Sequence, residues 1–268
     1  MIDSDYPAVT LPEEPYHKIL LKAIKHHIDH GKNKIAFVSD PRDAYAVAAF
    51  LYSKGFEKSV ACAVIPNLWH YSSFFLGVAL RGGAVSGASA MFTDYELQRQ
   101  FVDSGAKVVL TSEHYLDKVL KAVKDSPNVK VSAFSLYVPD GVVSWNLVMK
   151  SRYTPSIPEP HIDVDKDMII LPYSSGTTGS PKGVMLSHRN FATMMEIYAK
   201  HEATNIVCVL DPNWDYGNEK ILLFLPFYHA YGFGLINYTL LVGSTGIIFK
   251  SFEPHSFCRA IQDHKVRV

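Results

Sequence analysis

The run Ser174-Ser175-Gly176-Thr177-Thr178-Gly179-Ser180-Pro181-Lys182-Gly183 holds the residue types best suited to chemistry. Its three glycines let the backbone come close to a ligand. Its five hydroxyls, on Ser174, Ser175, Thr177, Thr178 and Ser180, can donate hydrogen bonds. Successive backbone N–H groups can curl into an anion-binding nest, and Lys182 supplies a compact positive charge. Pro181 stiffens the turn. Such a set suits a polyphosphate and offers nothing to an apolar ligand. A flexible linker would neither sit between two apolar strands nor carry a single Lys at its end. The Walker-type loop is excluded by its own spacing. Counted from Gly176, Lys182 is preceded by Pro181 and followed by Gly183, so no Ser or Thr is placed to hold magnesium.

The elements around this loop alternate between strand and helix. Tyr16–His30 has helical spacing, with Ile19, Leu20, Ala23, Ile24 and Ile28 on one face. Ile35–Ser39 reads as a strand, bridged by Asp40-Pro41-Arg42-Asp43 to a helix over Ala44–Lys54. Val60–Ile65 is a strand ended by Pro66-Asn67, and Leu68–Leu80 an apolar helix stopped by Gly82-Gly83. Thr93 and Glu96 form a capping box that opens a helix ending at Ser104-Gly105. Lys107–Thr111 and Val129–Tyr137 are strands around a helix at Tyr115–Lys124. Downstream come a strand at Met168–Pro172, a helix at Asn190–His201, and a strand, helix, strand, helix series at Lys220–Leu225, Leu235–Leu241, Gly246–Phe249 and His255–His264. Pro155, Pro158 and Pro160 make a connector near 153–163. The strands are short continuous apolar runs, as expected when both faces are covered. The expected class is α/β, with mainly parallel sheets flanked by helices.

Composition narrows the function. Lys plus Arg and Asp plus Glu are both 26, so no net field draws in nucleic acid or an anionic membrane. The acidic start Met1-Ile2-Asp3-Ser4-Asp5 has no apolar h-region. The most apolar stretch, Ile221–Phe249, is interrupted by Pro226, His229, Asn237 and glycines, so no transmembrane segment is expected. Cys62 and Cys208 sit in apolar runs and are expected as buried thiols, which with Cys258 fits a reducing, intracellular compartment. His26 and His30 are four apart on a helix but have no Glu or Cys partner nearby, so they are read as a solvated face and no metal site is expected.

The string from Tyr173 to Asn190, continuing through Val184-Met185-Leu186-Ser187-His188-Arg189, resembles the phosphate-loop signature of the adenylate-forming (AMP-binding) superfamily. A second string, Leu225-Pro226-Phe227-Tyr228-His229-Ala230-Tyr231-Gly232-Phe233-Gly234, is similar to that family's motif of a Pro, an aromatic, a His and a Gly-rich helix start. It is nearest to the branch of acyl-CoA synthetases, coumarate–CoA ligases and firefly luciferases. Weaker agreement runs through Asn67–Gly83 and Ser104–Thr111.

The resemblance implies an acid–thiol ligase. ATP and a small-molecule carboxylic acid give an acyl-adenylate and pyrophosphate, and coenzyme A then takes the acyl group, with Mg2+ accompanying ATP. It implies that Ser174, Ser175, Gly176, Thr177, Thr178, Gly179, Lys182 and Gly183 hold the β- and γ-phosphates. His229 is implied to orient the carboxylate, and Tyr231, Phe233 and Gly234 to lie at the acid. Lys182 and His229 are the implied catalytic pair. The family's Tyr-Gly-x-Thr-Glu motif, ribose-binding Asp and C-terminal domain with its catalytic Lys are not found. Tyr216-Gly217-Asn218-Glu219 shares letters with that motif but lacks its Thr and comes too early. Residues 1–268 are therefore expected to be a partial N-terminal adenylation domain, cytoplasmic or peroxisomal. Two further readings stay open: a nucleotide-binding fragment without turnover, and a luciferase-type oxygenase relative.

Overall fold

A computed structural model describes residues 9–30, 41–124, 126, 129–134, 138–174 and 181–267. The first half runs α1 (Tyr16–Asp29), α2 (Pro41–Ser53), β1 (Val60–Val64), α3 (His70–Leu80), β2 (Ala84–Gly87), α4 (Asp94–Ser104), β3 (Ala106–Ser112), α5 (Leu116–Val123), β4 (Lys130–Phe134), β5 (Val142–Ser144) and α6 (Trp145–Val148). The second runs β6 (Met168–Ile170), β7 (Tyr173–Ser174), β8 (Lys182–Gly183), β9 (Leu186–Ser187), α7 (His188–Glu202), α8 (Cys208–Leu210), β10 (Lys220–Leu223), α9 (Ala230–Val242), β11 (Thr245–Ile248) and α10 (Pro254–His264).

Seven strands form one sheet in the order β5-β4-β3-β1-β2-β6-β9, and β10 and β11 form a second, two-stranded sheet. All these pairs are parallel except β6 with β9. The period of two sorts the central strands between two cores. Ala61 and Ala63 of β1, with Val108 and Leu110 of β3, face a core built from α1, α2, α3, α7 and α9. Cys62 and Val64 of β1, with Val109 of β3, face the other core beneath α4 and α5. Every residue of β1 and β2 is buried, which is why their sequences show no polar alternation.

Local signals account for several boundaries. Thr93 Oγ1 accepts from the Glu96 N–H while the Glu96 carboxylate accepts from the Thr93 N–H, so the capping box forms as expected. Ser187 and Asn190 repeat that device at the start of α7. Residues 151–163 carry neither helix nor strand. They are held by Arg81, fully buried, which donates to the Pro158 carbonyl at 2.6 Å and to the Glu57 carboxylate at 2.7 Å.

Some expectations need correction. Pro41, Arg42 and Asp43 are the first turn of α2 rather than a bridge, since proline is well placed where an N–H would go unpaired. Cys208 is exposed, not buried, because its apolar run continues α7 through a π-helical turn, Ala203–Val207. Leu186–Ser187 pairs as β9, and Ala84–Gly87, Val142–Ser144 and Trp145–Val148 are elements the apolar patterning did not announce. Lys265-Val266-Arg267 follows α10 without helix or strand. Arg267 folds back on the Asp211 and Glu219 carboxylates and stacks over Trp214. Glu219 of the Tyr216–Glu219 run is thus occupied by an ion pair. The expected strand Ile35–Ser39 lies outside the described residues.

Candidate functional site

Parallel strands gather ligand sites at their carboxyl ends, and four such ends meet here. β1 leads to Asn67, β2 to Gly87 and Ser89, β6 to Pro172 and Tyr173, and β10 to the turn Leu225–His229. A cleft of about 460 Å³ opens between them. Gly87, Ser89, Phe92 and Gln100 line one side. Tyr173, Ser174, Val184 and Leu186 line a second, and Tyr228, His229 and Ala230 a third.

The expected phosphate loop is rooted in a hairpin. β7 and β8 pair antiparallel, Tyr173 with Gly183 and Ser174 with Lys182, so the loop leaves and returns through adjacent residues. Ser174 and Lys182 are exposed, and among the described residues no carboxylate pairs with Lys182. Ser175, Gly176, Thr177, Thr178 and Gly179 lie outside the described residues. The hairpin is tied to α4 by the Tyr173 hydroxyl, which donates to Asp103 Oδ2 at 2.5 Å. Burial, and then the Asp103 carboxylate, raise the Tyr173 phenol above its ordinary value, so it stays a donor. Below, Gln100 Nε2 donates to Ser86 Oγ at 2.9 Å and to the Gly87 carbonyl at 3.0 Å. Ser86 Oγ in turn donates to the Leu171 carbonyl at 2.8 Å. The floor is thus a closed relay of buried polar groups, which fixes β2 against the root of the hairpin.

His229 is the N-cap of α9. Its Nδ1 accepts from the Tyr231 N–H at 3.3 Å, which leaves Nε2 as the proton-bearing nitrogen of the neutral ring. The turn that carries it is held by Asn67. Asn67 Nδ2 donates to the Leu225 carbonyl at 2.9 Å, and Oδ1 accepts from the Phe227 N–H at 2.9 Å. Two contacts demand glycine. A Cβ on Gly87 would stand 2.6 Å from Tyr228 Cα, and one on Gly232 would stand 2.2 Å from the Pro226 carbonyl oxygen. The first brings β2 against the His229 turn. The second lets α9 start directly over it.

The structure therefore brings Ser174 and His229 to one cleft, with Lys182 and Gly183 on the strand beside Ser174. Tyr231 stands next along α9, 57% exposed. Gly234 has open space where a side chain would be. Phe233 points into the core, 1% exposed, with its ring against Phe75, Phe191 and Tyr71. Asn67, Gly87, Gln100, Tyr173 and Asp103 were not singled out from the sequence. Asn67 carried a signal, a polar side chain directly after an apolar strand, which reads equally well as a strand stop. Among the described residues no group of three or more His, Cys, Asp or Glu is placed to hold a metal ion. No described helix is long and apolar enough to cross a membrane.

Comparison with known proteins places the chain in a family and agrees with its fold. Acyl-CoA synthetase 7 of Caenorhabditis elegans is 31% identical over 270 residues, covering 96% of this chain and 50% of its own length. 4-Coumarate–CoA ligase 2 of Nicotiana tabacum is 31% identical over 227 residues, covering 83% of this chain and 39% of its own. The chain thus spans half or less of the length of these relatives. A red-emitting luciferase from Phrixothrix hirtus shares the fold, with a TM-score of 0.81 and 22% identity over 98% of this chain and 52% of its own. The AMP-binding enzyme profile matches residues 30–268, which takes in the hairpin, the cleft and the His229 turn. On that match, and on the relatives it shares, the chain belongs to the AMP-binding enzyme family.

Proposed function

We propose that this chain supplies the ATP- and acid-binding half of a ligase that activates a carboxylic acid and passes it to coenzyme A. The observation that carries the reading is the shared cleft. Ser174, paired with Lys182 at the root of a hydroxyl- and glycine-rich run, shares a cleft with His229 at the carboxyl ends of parallel strands. In the first step a carboxylate oxygen attacks the α-phosphorus of ATP, and the bond to the pyrophosphate oxygen breaks. Lys182 and the hydroxyls of the loop meet the charge that grows on the leaving pyrophosphate. Preorganised donors of this kind are often the largest catalytic contribution. His229 Nε2–H donates to the attacking acid and holds it in line.

Coenzyme A is the acceptor suggested by the relatives, which are named as CoA synthetases and ligases. Its thiol sulfur takes the acyl carbon, and AMP leaves. Among the described residues the cleft lining offers hydroxyl and carbonyl oxygens but no carboxylate, so these residues do not form a magnesium site of their own. Mg2+ would arrive on the ATP phosphates.

Carboxylate-dependent exchange of labelled pyrophosphate into ATP tests the reading. Exchange by this chain should fall about 100-fold or more in Lys182→Ala. His229→Ala should raise the KM for the acid. ATP binding without exchange, in folded protein, would instead make the chain a nucleotide-binding module without turnover.

A further inference from the structure

One wall of the cleft that holds His229 carries polar groups whose bonding capacity is not used up. Gln100 is buried on the face of α4 that also buries Leu97 and Phe101, and it is the polar member of that set. It is 4% exposed and lines the cleft. Its orientation follows from its partners. The Leu171 carbonyl can only accept, so the Ser86 hydroxyl must donate its proton there. Ser86 Oγ is left to accept from Gln100, and the Gly87 carbonyl accepts as well. Gln100 must therefore turn its NH2 group to both, and both amide hydrogens are taken. Its Oε1 has no hydrogen-bond partner among the described residues, and it is not one of the polar atoms sealed from solvent. An acceptor thus faces the cleft from a side chain that is otherwise enclosed.

Ser89 stands on the same wall, 6% exposed. Its Oγ accepts from the Met91 N–H at 3.2 Å, and its own proton meets no acceptor among the described residues. The wall therefore offers one donor and one acceptor, each on a side chain already anchored by other bonds. Phe92, Pro172, Val184 and Leu186 give much of the remaining lining an apolar character. A ligand that displaces water from such a donor and acceptor must reproduce the lost hydrogen bonds or bind more weakly.

We propose that Gln100 and Ser89 are specificity-determining residues that select acids carrying a hydroxyl within this cleft. The inference rests on the acid-activating reading above. With the carboxylate at His229, the substrate hydroxyl accepts from Ser89 O–H and donates to Gln100 Oε1. A hydroxyl does both at once, which matches the pair. An unsubstituted alkanoate covers the same two groups and leaves them unpaired, the costly case for a buried polar atom. A site built to bond a substrate hydroxyl discriminates against the analogue that lacks it.

The test compares butanoate with 2-, 3- and 4-hydroxybutanoate in pyrophosphate exchange. At least one hydroxy isomer should exceed butanoate about tenfold in kcat/KM, through KM. Gln100→Met should bring that ratio close to one. Ser86→Ala breaks the relay but leaves Gln100 Oε1 in place, so the ratio should survive it. The proposal is overturned if no isomer exceeds butanoate, if the ratio persists in Gln100→Met, or if Ser86→Ala abolishes it equally. A rise in the KM for ATP in place of the acid assigns the wall to the nucleotide and overturns it too. If no acid supports exchange, the catalytic reading fails and the wall is tested separately by NMR. The side-chain amide signals of Gln100, assigned by their loss in Gln100→Met, should shift saturably with a hydroxy isomer and not with butanoate. Signals unmoved by every isomer overturn the proposal on their own.

Discussion

The parallel strands of the seven-stranded sheet and the β10–β11 pair are both apolar runs, and they end in different states. β1 reads Val-Ala-Cys-Ala-Val and is buried throughout, while β10 reads Lys-Ile-Leu-Leu and buries only Leu223. α3 buries ten of its eleven residues, whereas α10 buries none. The aromatic rings follow the same division. Phe75 packs in the core against Tyr16 and Phe233. Phe257 collects Phe224, Phe249 and Phe252 in a cluster at the surface. An apolar strand sequence therefore reports a capacity for burial, and the neighbours decide whether the capacity is used. The His229 turn sits on the seam. It follows β10 of the lightly covered sheet, yet its geometry is dictated by Asn67 and Gly87 from the fully covered one.

Breaking the covered side should cost most. Phe75→Ala should lower unfolding free energy by about 3–5 kcal/mol, read from urea denaturation. Acid should strike the same side nearly as hard. His17 and His188, ring centroids 5.6 Å apart, are held neutral, with burial lowering their pKa values to about 3 and about 4. The unfolded chain takes up these protons near 6.5 and the folded chain does not. Stability is thus full above about 6.5 and falls as pH drops towards 4. Between pH 7.5 and 5.0 each ring should cost about 2 kcal/mol, and His17→Phe should remove about half of the loss.

The seam comes next. Asn67→Ala leaves the Leu225 carbonyl and the Phe227 N–H unpaired and should cost about 1–3 kcal/mol. Hydrogen exchange at 225–229 should rise while β1 stays protected. If β1 exchanges faster as well, the turn is not separately anchored. The smallest effect belongs to the surface cluster, where Phe257→Ala should cost about 1 kcal/mol or less. A loss equal to that of Phe75→Ala would erase the contrast between the two sheets.

What the sequence made legible divides along physical lines. Thr93 and Glu96 act within one helical turn, so their capping box could be read directly. The helix start at His229 was legible from its Pro-, aromatic- and Gly-rich string, and the ends of the 174–183 run meet as a hairpin. Ala84–Gly87 escaped notice because four small residues carry no periodicity, and its strand exists through pairing with Val60–Ala63 on one side and Ile170 on the other. The same holds for Leu186–Ser187, which needs β6 beside it. Cys208 was misplaced because Ile206–Leu210 has the composition of a buried strand, while continuity with α7 makes it an exposed helix. Contacts such as Tyr173 with Asp103, separated by 70 positions, leave no local trace at all.

The hairpin root has a consequence for how tightly the proposed nucleotide would be held. A loop must lose conformational freedom when it wraps a ligand, and part of that loss is the closing of its ends. Here the ends are already closed by the Tyr173–Gly183 and Ser174–Lys182 pairs and braced by Asp103. If the proposed function holds, closure of these ends adds nothing to the entropy lost on binding. Affinity for ATP would then be tunable from outside the ligand's reach, because loosening the brace would return the closure entropy to the free state.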